Sequence, residues 1–435
     1  MQLGAWVGVY VVMVAAPIGL VLVGQLPEGR GFWVEFGVGL GLVGLAMMGV
    51  QFALTARFRR IAGIVGMDSM LHFHRQAGIV ATLFVLAHPV ILVLADREFL
   101  AFFDPRVNLP RAGALTAVTV ALLLVVALPL ARGRIGLSYE WWRLTHGLLG
   151  LFIVLVGLAH VLMVSRYMAV GWKQALWVVF IGAAVALLVN SRLLVPWRAW
   201  RRPWKVASVR TEAPDVWTIT LEAAGHSGLP FRAGQCIWLT LGPTPFSLQQ
   251  HPFTIASSAV RADRLELTIK ALGDFTSTIG NVAPGTPAFL EGPYGNFTVD
   301  LDTLHPAVFF AGGIGITPVL SILRTLRERG DRRPLLLVYA NASEAQILLR
   351  EEFEQLAGEL ELRVCHVLKQ PPEGWSGEVG RITPELIERV LNDFPLANTR
   401  YYVCGADSMM DTVETELLRR GVGLHRIHSE RFNIV

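Results

Sequence analysis

The chain has 435 residues, 53% of them hydrophobic and 17% charged, with a mean hydropathy of +0.49; it is too apolar for an ordinary soluble enzyme and long enough for two or three domains. Its 38 basic and 34 acidic residues leave a net charge of +4, but the arginines cluster beside apolar stretches, so membrane topology explains them better than a nucleic-acid partner does. Cys236, Cys365 and Cys404 show no CxxC spacing, which argues for a reducing compartment and against structural zinc.

In the first half, six stretches are long enough to cross a bilayer core as helices of ~20 residues: 4–24, 35–55, 76–95, 112–131, 145–165 and 172–192. Met1 leads straight into an apolar run without a basic segment, so the first stretch reads as a span and not as a cleaved leader. Six spans put both termini on one side. Arg57, Arg59 and Arg60 follow the second span, Arg132, Arg134 and Arg143 lie between the fourth and fifth, and Arg198, Arg201, Arg202 and Lys205 follow the sixth. The excess of basic residues assigns these loops, and the second half of the chain, to the cytosol. The opposite loops carry mixed charge, including Glu28, Asp96, Glu98 and Asp104.

Five of the eleven histidines lie in or beside these spans, where an ionisable side chain is a functional signal. Two pairs share one spacing: His74 and His88 on the third span, His146 and His160 on the fifth. Fourteen residues advance a helix by ~21 Å and turn it ~1400°, within ~40° of four full turns, so each pair faces one direction at two depths. Both spans run outward from the cytosol, so His74 meets His146 near the inner face and His88 meets His160 near the outer. Opposed neutral imidazoles suit bis-axial ligation of two b-type haems, a closed coordination that favours electron transfer. His72 stands ~160° off this face and reads as interfacial. Pro89, directly after His88, reads as a helix kink.

After Pro203 the pattern changes to short alternating segments such as Val216 to Leu221 and Leu265 to Ile269, bounded by Gly and Pro, as in a small antiparallel barrel. From about His305, strands alternate with helices. Val308 to Ala311 leads through a glycine loop into a helix from Pro318 to Arg329; Leu335 to Tyr339 precedes a helix near 344–357. Leu362 to Val367 and Tyr401 to Cys404 repeat the theme of a doubly wound parallel sheet.

Within that half, His251-Pro252-Phe253-Thr254-Ile255-Ala256-Ser257 resembles the flavin motif of the NADPH oxidase and ferric reductase superfamily, whose soluble half is similar to ferredoxin-NADP reductase. The resemblance implies that the Thr254 hydroxyl lies by the flavin N5 edge, with His251, Pro252 and Phe253 lining the ring; a short hydroxyl there donates a bond without blocking hydride arrival. Lys270 and Gly273-Asp274-Phe275-Thr276-Ser277 look like the segment that holds the FAD pyrophosphate, with Lys270, Gly273, Thr276 and Ser277 as its binding residues. Gly292-Pro293-Tyr294-Gly295 resembles the closing turn of the same domain. Gly312-Gly313-Ile314-Gly315-Ile316-Thr317-Pro318 has the strand-to-helix context of a dinucleotide loop, with Pro318 in place of a last glycine, as in the superfamily. Cys404-Gly405 resembles its nicotinamide-side Cys-Gly. In the family an aromatic residue near the C-terminus stacks over the flavin; Phe432 is the candidate for this, although three residues follow it, and an ordinary packed Phe is the alternative.

The resemblance runs from the first span to Phe432 and implies a fold of three parts: a six-helix transmembrane bundle holding two haems (residues 1–200), an antiparallel β-barrel FAD domain (201–300) and an α/β NAD(P)-binding domain (301–435). It implies a plasma-membrane protein that carries electrons from cytosolic NADPH or NADH, through FAD and both haems, to an acceptor outside, with Thr254, Cys404 and Phe432 at the reacting centre. Dioxygen reduced to superoxide is the favoured acceptor, and ferric or cupric ions are the rival. Animal oxidases carry a second His one turn beyond the outer haem ligand, where this chain has Leu92. A protein docked outside is a third acceptor, but the short outer loops give it little surface. Asn341 and Ser343 stand near the expected 2'-phosphate position without an arginine, and Arg350 is within reach from the next helix, so both nicotinamide nucleotides are expected to serve.

Overall fold

A computed structural model describes residues 2–24, 27–56, 67–164, 166–299, 301 and 303–432. The expected cytosolic residues Arg57, Arg59 and Arg60 and the last three residues, 433–435, lie outside these. Among the described residues the chain divides into two compact units, one helical over 2–56 and 69–194, the other over 67–68 and 195–432.

The helical unit contains α1 (Gln2–Leu22), α2 (Phe32–Thr55), α3 (Met67–Ala95), α4 (Leu109–Ala131), α5 (Tyr139–Val164) and α6 (Gly171–Val189). Long apolar runs become helices because a helix satisfies every internal backbone group within the segment. Their ends follow local signals. Gly31, at φ 94°, precedes α2, and Asn108 caps α4 by accepting from Arg111 N at 3.0 Å, with Pro110 in the first turn. Five of these helices are long and apolar enough to cross a membrane, and Trp6–Leu22 is a shorter apolar helix. α2 is the central element: half of its most apolar window is buried, against 11% to 22% in the other four. Around it pack Ala81, Leu122, Ile153, Val154, Trp177 and Ile181, while Leu94 and Met163 remain 80% and 82% exposed, as lipid-facing residues are.

The helices α3 and α5 begin earlier than hydropathy predicts, at 67 and 139 instead of 76 and 145. Their first turns are polar yet helical, so His74 and His146 lie well inside helices. The spacing arithmetic therefore applies to both pairs.

The second unit opens with α7 (Val195–Trp200) and then folds β1 (Trp204–Ala213), β2 (Val216–Ala223), β3 (Cys236–Leu241), β4 (His251–Thr254), β5 (Arg264–Lys270) and β6 (Pro287–Tyr294) into an antiparallel sheet ordered β4-β3-β6-β1-β2-β5. Alternation buries Val206, Ile219, Leu221, Ile237, Leu239, Leu265, Leu267 and Ile269 on its inner face. The two end strands meet where Ala256 N donates to Glu266 O at 2.7 Å, which curls the sheet into a barrel.

The remaining strands, β7 (Ala307–Gly312), β8 (Leu335–Ser343), β9 (Leu362–Gln370), β10 (Glu378–Val379), β11 (Arg400–Cys404) and β12 (Ile427–Glu430), form a parallel sheet ordered β10-β9-β8-β7-β11-β12. Helices α8 (Thr317–Glu328), α9 (Arg350–Glu359), α10 (Pro384–Leu391) and α11 (Asp407–Arg419) accompany it. The helix expected near 344 starts at Arg350, because Glu344–Gln346 forms a separate 3-10 turn and Leu349 takes a left-handed φ of 52°. Strand order reverses between β7 and β11, the switch point at which sheets of this kind leave a crevice.

Candidate functional site

The two histidine pairs meet as their spacing predicts. The ring centroids of His74 and His146 lie 6.2 Å apart with planes at 69°, and those of His88 and His160 lie 6.2 Å apart at 71°. Two metal–nitrogen bonds of about 2 Å plus two imidazole half-widths span roughly 6 Å, so each pair has the separation of two axial ligands on one iron. His88 Nδ1 donates to Gly37 O at 2.8 Å, which leaves Nε2 as the free lone pair, the tautomer a metal ligand requires. The Gln51 side-chain amide lies 2.6 Å from His74 Nδ1. Gly41 makes room for the His88 ring: a Cβ there would sit 2.9 Å from His88 Nδ1. Among the described residues no three His, Cys, Asp or Glu side chains gather into a metal site; a porphyrin needs only two from the protein, so the donor set fits haem.

Gln51, Gly37 and Gly41 were not singled out in the sequence. A glutamine that is only 8% exposed in an apolar helix is the signal that points to Gln51, whereas a backbone carbonyl acceptor such as Gly37 O leaves no trace in sequence.

In the barrel, β4 carries His251, Pro252, Phe253 and Thr254 opposite Leu239, Trp238, Ile237 and Cys236 of β3. Thr254 is 6% exposed. Phe275 links this strand to the next segment, stacked on His251 at 4.2 Å and on Phe253 at 6.2 Å. Lys270 ends β5, and the helical turn Asp274–Ser277 follows Gly273 at once. Thr276 Oγ1 accepts from Leu272 N and Gly273 N, both at 2.9 Å, and Ser277 Oγ donates to Gly273 O at 2.9 Å. The turn and the aromatic strand thereby meet through Phe275, and Lys270 stands just before the turn in sequence.

At the switch point, Gly312 ends β7, Gly313–Ile316 forms a 3-10 turn, and Thr317 and Pro318 open α8. Cys404 pairs with Ala311 across β11 and β7, so Cys404-Gly405 and the glycine loop share one edge of the sheet. The fit is close: a Cβ on Gly315 would lie 2.4 Å from Cys404 O. Such an edge presents backbone N–H groups and a helix start toward a pyrophosphate.

Cys404 is fully buried, and its thiol is held well above the ordinary cysteine range by burial and then by the Glu430 carboxylate. Glu430 pairs with Cys404 across β12 and β11, and a Cβ on Gly295 of the barrel's closing turn would come within 3.6 Å of Glu430 Oε1. This carboxylate therefore stands between the barrel and the nucleotide edge, a place that its position near the C-terminus did not reveal. Phe432 is 42% exposed beyond β12. Arg431 before it is clasped by Asp407, Asp411 and Glu414 of α11 at 3.2, 2.7 and 3.0 Å. Arg350 is already engaged, by Glu344 at 2.5 Å and Glu354 at 3.3 Å.

Three family descriptions match successive parts of the chain: a ferric reductase like transmembrane component over residues 40–157, an FAD-binding domain over 202–298 and an oxidoreductase NAD-binding domain over 309–415. Ferredoxin-NADP reductase B of Sorangium cellulosum is 30% identical over 237 residues, 53% of this chain and 96% of that protein. NADH-cytochrome b5 reductase 1 of Laccaria bicolor is 34% identical over 159 residues, 35% of this chain; the match spans only 52% of that relative. Among solved structures, the FAD/NAD-binding domain of nitric oxide dioxygenase from Vibrio cholerae aligns with a TM-score of 0.46 at 22% identity, over 53% of this chain and 98% of that one.

Proposed function

Since the chain belongs to the NADPH oxidase and ferric reductase superfamily, we propose that it is a six-span membrane oxidoreductase carrying electrons from cytosolic NAD(P)H, through FAD and two b-type haems, to an extracytoplasmic acceptor. The observation that carries this reading is the pair of imidazole pairs, each at 6.2 Å, on α3 and α5. One such pair is a common accident of helix packing; two at equal spacing and equal separation are a ladder.

When bound, FAD takes a hydride from nicotinamide and gives up electrons one at a time, and haem iron relays single electrons. His74 with His146, and His88 with His160, would hold the two haem irons, with Gly37 O fixing the His88 tautomer. Thr254 would offer its hydroxyl to the flavin, which His251, Pro252 and Phe253 would hold. Lys270, Gly273, Thr276 and Ser277 receive the FAD pyrophosphate. Gly312, Gly313, Gly315, Thr317 and Pro318 receive that of the nicotinamide nucleotide, beside Cys404 and Gly405. The Cys404 thiol keeps its proton at neutral pH, so it borders the nicotinamide as an uncharged donor and not as a nucleophile. Phe432 is the candidate aromatic cover of the flavin.

Dioxygen, reduced to superoxide, is the preferred acceptor. Leu92, 8% exposed one turn beyond His88, favours a second reading, ferric or cupric reduction, because it provides no polar group for oxygen there. The visible spectrum of the purified protein tests the core proposal. A reduced low-spin b-type spectrum with two haems per chain is expected, falling to one haem in His88→Ala or His160→Ala; a protein colourless apart from flavin would end it. Superoxide dismutase-sensitive cytochrome c reduction supports the oxygen reading, and brisk Fe(III) reduction without it supports the metal one.

A further inference from the structure

The helix α8 is unusual in having no water-facing side chains over much of its polar face. Its apolar stripe, Val319, Leu320, Ile322, Leu323 and Leu326, is fully buried against the parallel sheet. The polar stripe Ser321, Arg324, Thr325 and Glu328 follows the spacing i, i+3, i+4, i+7 and so shares one side. Such a stripe ordinarily meets solvent. Here Ser321 and Thr325 are 0% and 1% exposed and the Arg324 side chain 12%, because the stripe is docked on the barrel.

Every polar group of the stripe bonds the segment 256–259, which begins two residues after Thr254. Ser321 Oγ donates to Ser257 O at 2.8 Å and accepts from Gly234 N at 3.3 Å. Thr325 Oγ1 accepts from Ala259 N at 2.9 Å, and Ser258 Oγ donates to Glu328 Oε2 at 2.8 Å. Arg324 is the hub: Nη1 donates to Ala256 O at 3.0 Å and to Glu266 at 2.9 Å, while Nε and Nη2 grip Glu352 of α9 at 2.6 and 2.7 Å. A planar fork that satisfies a carbonyl and two carboxylates at once fixes orientation as well as distance.

The same helix begins at the glycine loop, at Thr317 and Pro318. One end of a rigid rod is thus the nucleotide loop, and its side is bolted to the segment 256–259 that directly follows the strand carrying Thr254. We infer that Arg324 is a positioning residue for hydride transfer: through α8 it sets where the nicotinamide loop stands relative to Thr254, without touching either cofactor. The inference rests on the electron-transfer reading given above. Reaction rate depends steeply on such placement, since an error near 1 Å costs on the order of a hundredfold.

Anaerobic single-turnover reduction of the flavin in the full-length, FAD-loaded protein, with saturating NADH or NADPH, tests this. Arg324→Lys keeps the charge but replaces the fork by a single ammonium. The limiting rate constant is expected to fall about tenfold or more, with a weaker nicotinamide–flavin charge-transfer band, while FAD content and nucleotide affinity hold. A variant with full FAD content and the wild-type limiting rate overturns the inference, and so does a change confined to nucleotide affinity. If Arg324→Lys fails to retain FAD, Thr325→Val decides, because it removes the acceptor for Ala259 N, together with the bond that Thr325 Oγ1 donates to Ser321 O within the helix, and leaves the Arg324 fork in place: a slower limiting rate upholds the inference and an unchanged one overturns it. If neither nucleotide reduces the wild-type flavin, the electron-transfer reading itself falls, a result distinct from either outcome in the variants.

Discussion

The chemistry of single residues here is governed by what surrounds them after folding, and Cys404 illustrates it. Burial comes first and the Glu430 carboxylate second in holding its thiol proton. An unfolded cysteine loses that proton near pH 8.5. Above this pH the unfolded chain therefore binds fewer protons than the folded one, so the stability associated with Cys404 is complete below about pH 8.5 and declines as pH rises further. The loss is at most about 1.4 kcal/mol per pH unit, and each kcal/mol lowers the melting temperature of a domain this size by about 2 to 4 °C. We expect the melting temperature of the nucleotide-binding part to drop between pH 8 and pH 10 more in wild type than in Cys404→Ala. Cys365, pushed up to about 11 mainly by burial, is common to both proteins and cancels. Equal slopes would show that the Cys404 thiol is not held this way. Cys404 was legible in sequence because a strand ended in Cys-Gly. Glu430 was not, because a parallel strand pair joins residues distant along the chain and no local periodicity records it. The same holds for the barrel's aromatic stack: Phe275 lay inside a recognised segment, but its contact with His251 is a tertiary fact.

At the scale of elements, the edge where β7 and β11 part company concentrates the nucleotide-binding geometry. The two strand ends approach so closely that Gly315 has no space for a side chain beside Cys404 O. Gly315→Ala must push the loop and the Cys-Gly edge apart. We expect KM for NADH and NADPH to rise at least about tenfold, equivalent to about 1.4 kcal/mol, with FAD content unchanged; an unaltered KM would mean that the pyrophosphate does not rest on this loop. Most elements could be foreseen from hydrophobic period and length, from the long apolar runs to the four repeated strands. Boundaries failed where tertiary contacts overrode composition. The polar first turns of α3 and α5 carry no hydropathy signal, yet they are helical and hold His74 and His146. Likewise, the polar face of α8 has the pattern of a solvated surface, because its partners in 256–259 lie more than sixty residues upstream.

For the molecule as a whole, the helical unit holds both histidine pairs and the second unit holds both nucleotide-binding folds. The division has a functional corollary. Under the proposed reading, hydride transfer to flavin would need only residues of the second unit, whereas transfer across the lipid would need all four imidazoles, because one haem alone would leave a gap in a core ~30 Å thick. His146→Ala, which removes half of one pair, is therefore expected to separate two activities that run together in the wild type. In proteoliposomes with the soluble half outward, NAD(P)H-driven reduction of ferricyanide added outside should continue near the wild-type rate, drawing electrons directly from flavin. Reduction of an acceptor trapped in the lumen should fall to background. Were lumenal reduction to persist in a variant shown to lack one haem, electrons would be crossing by a route that bypasses the ladder. Were outside ferricyanide reduction to collapse as well, the two units would not be separable in function, and the first step would depend on the helical unit.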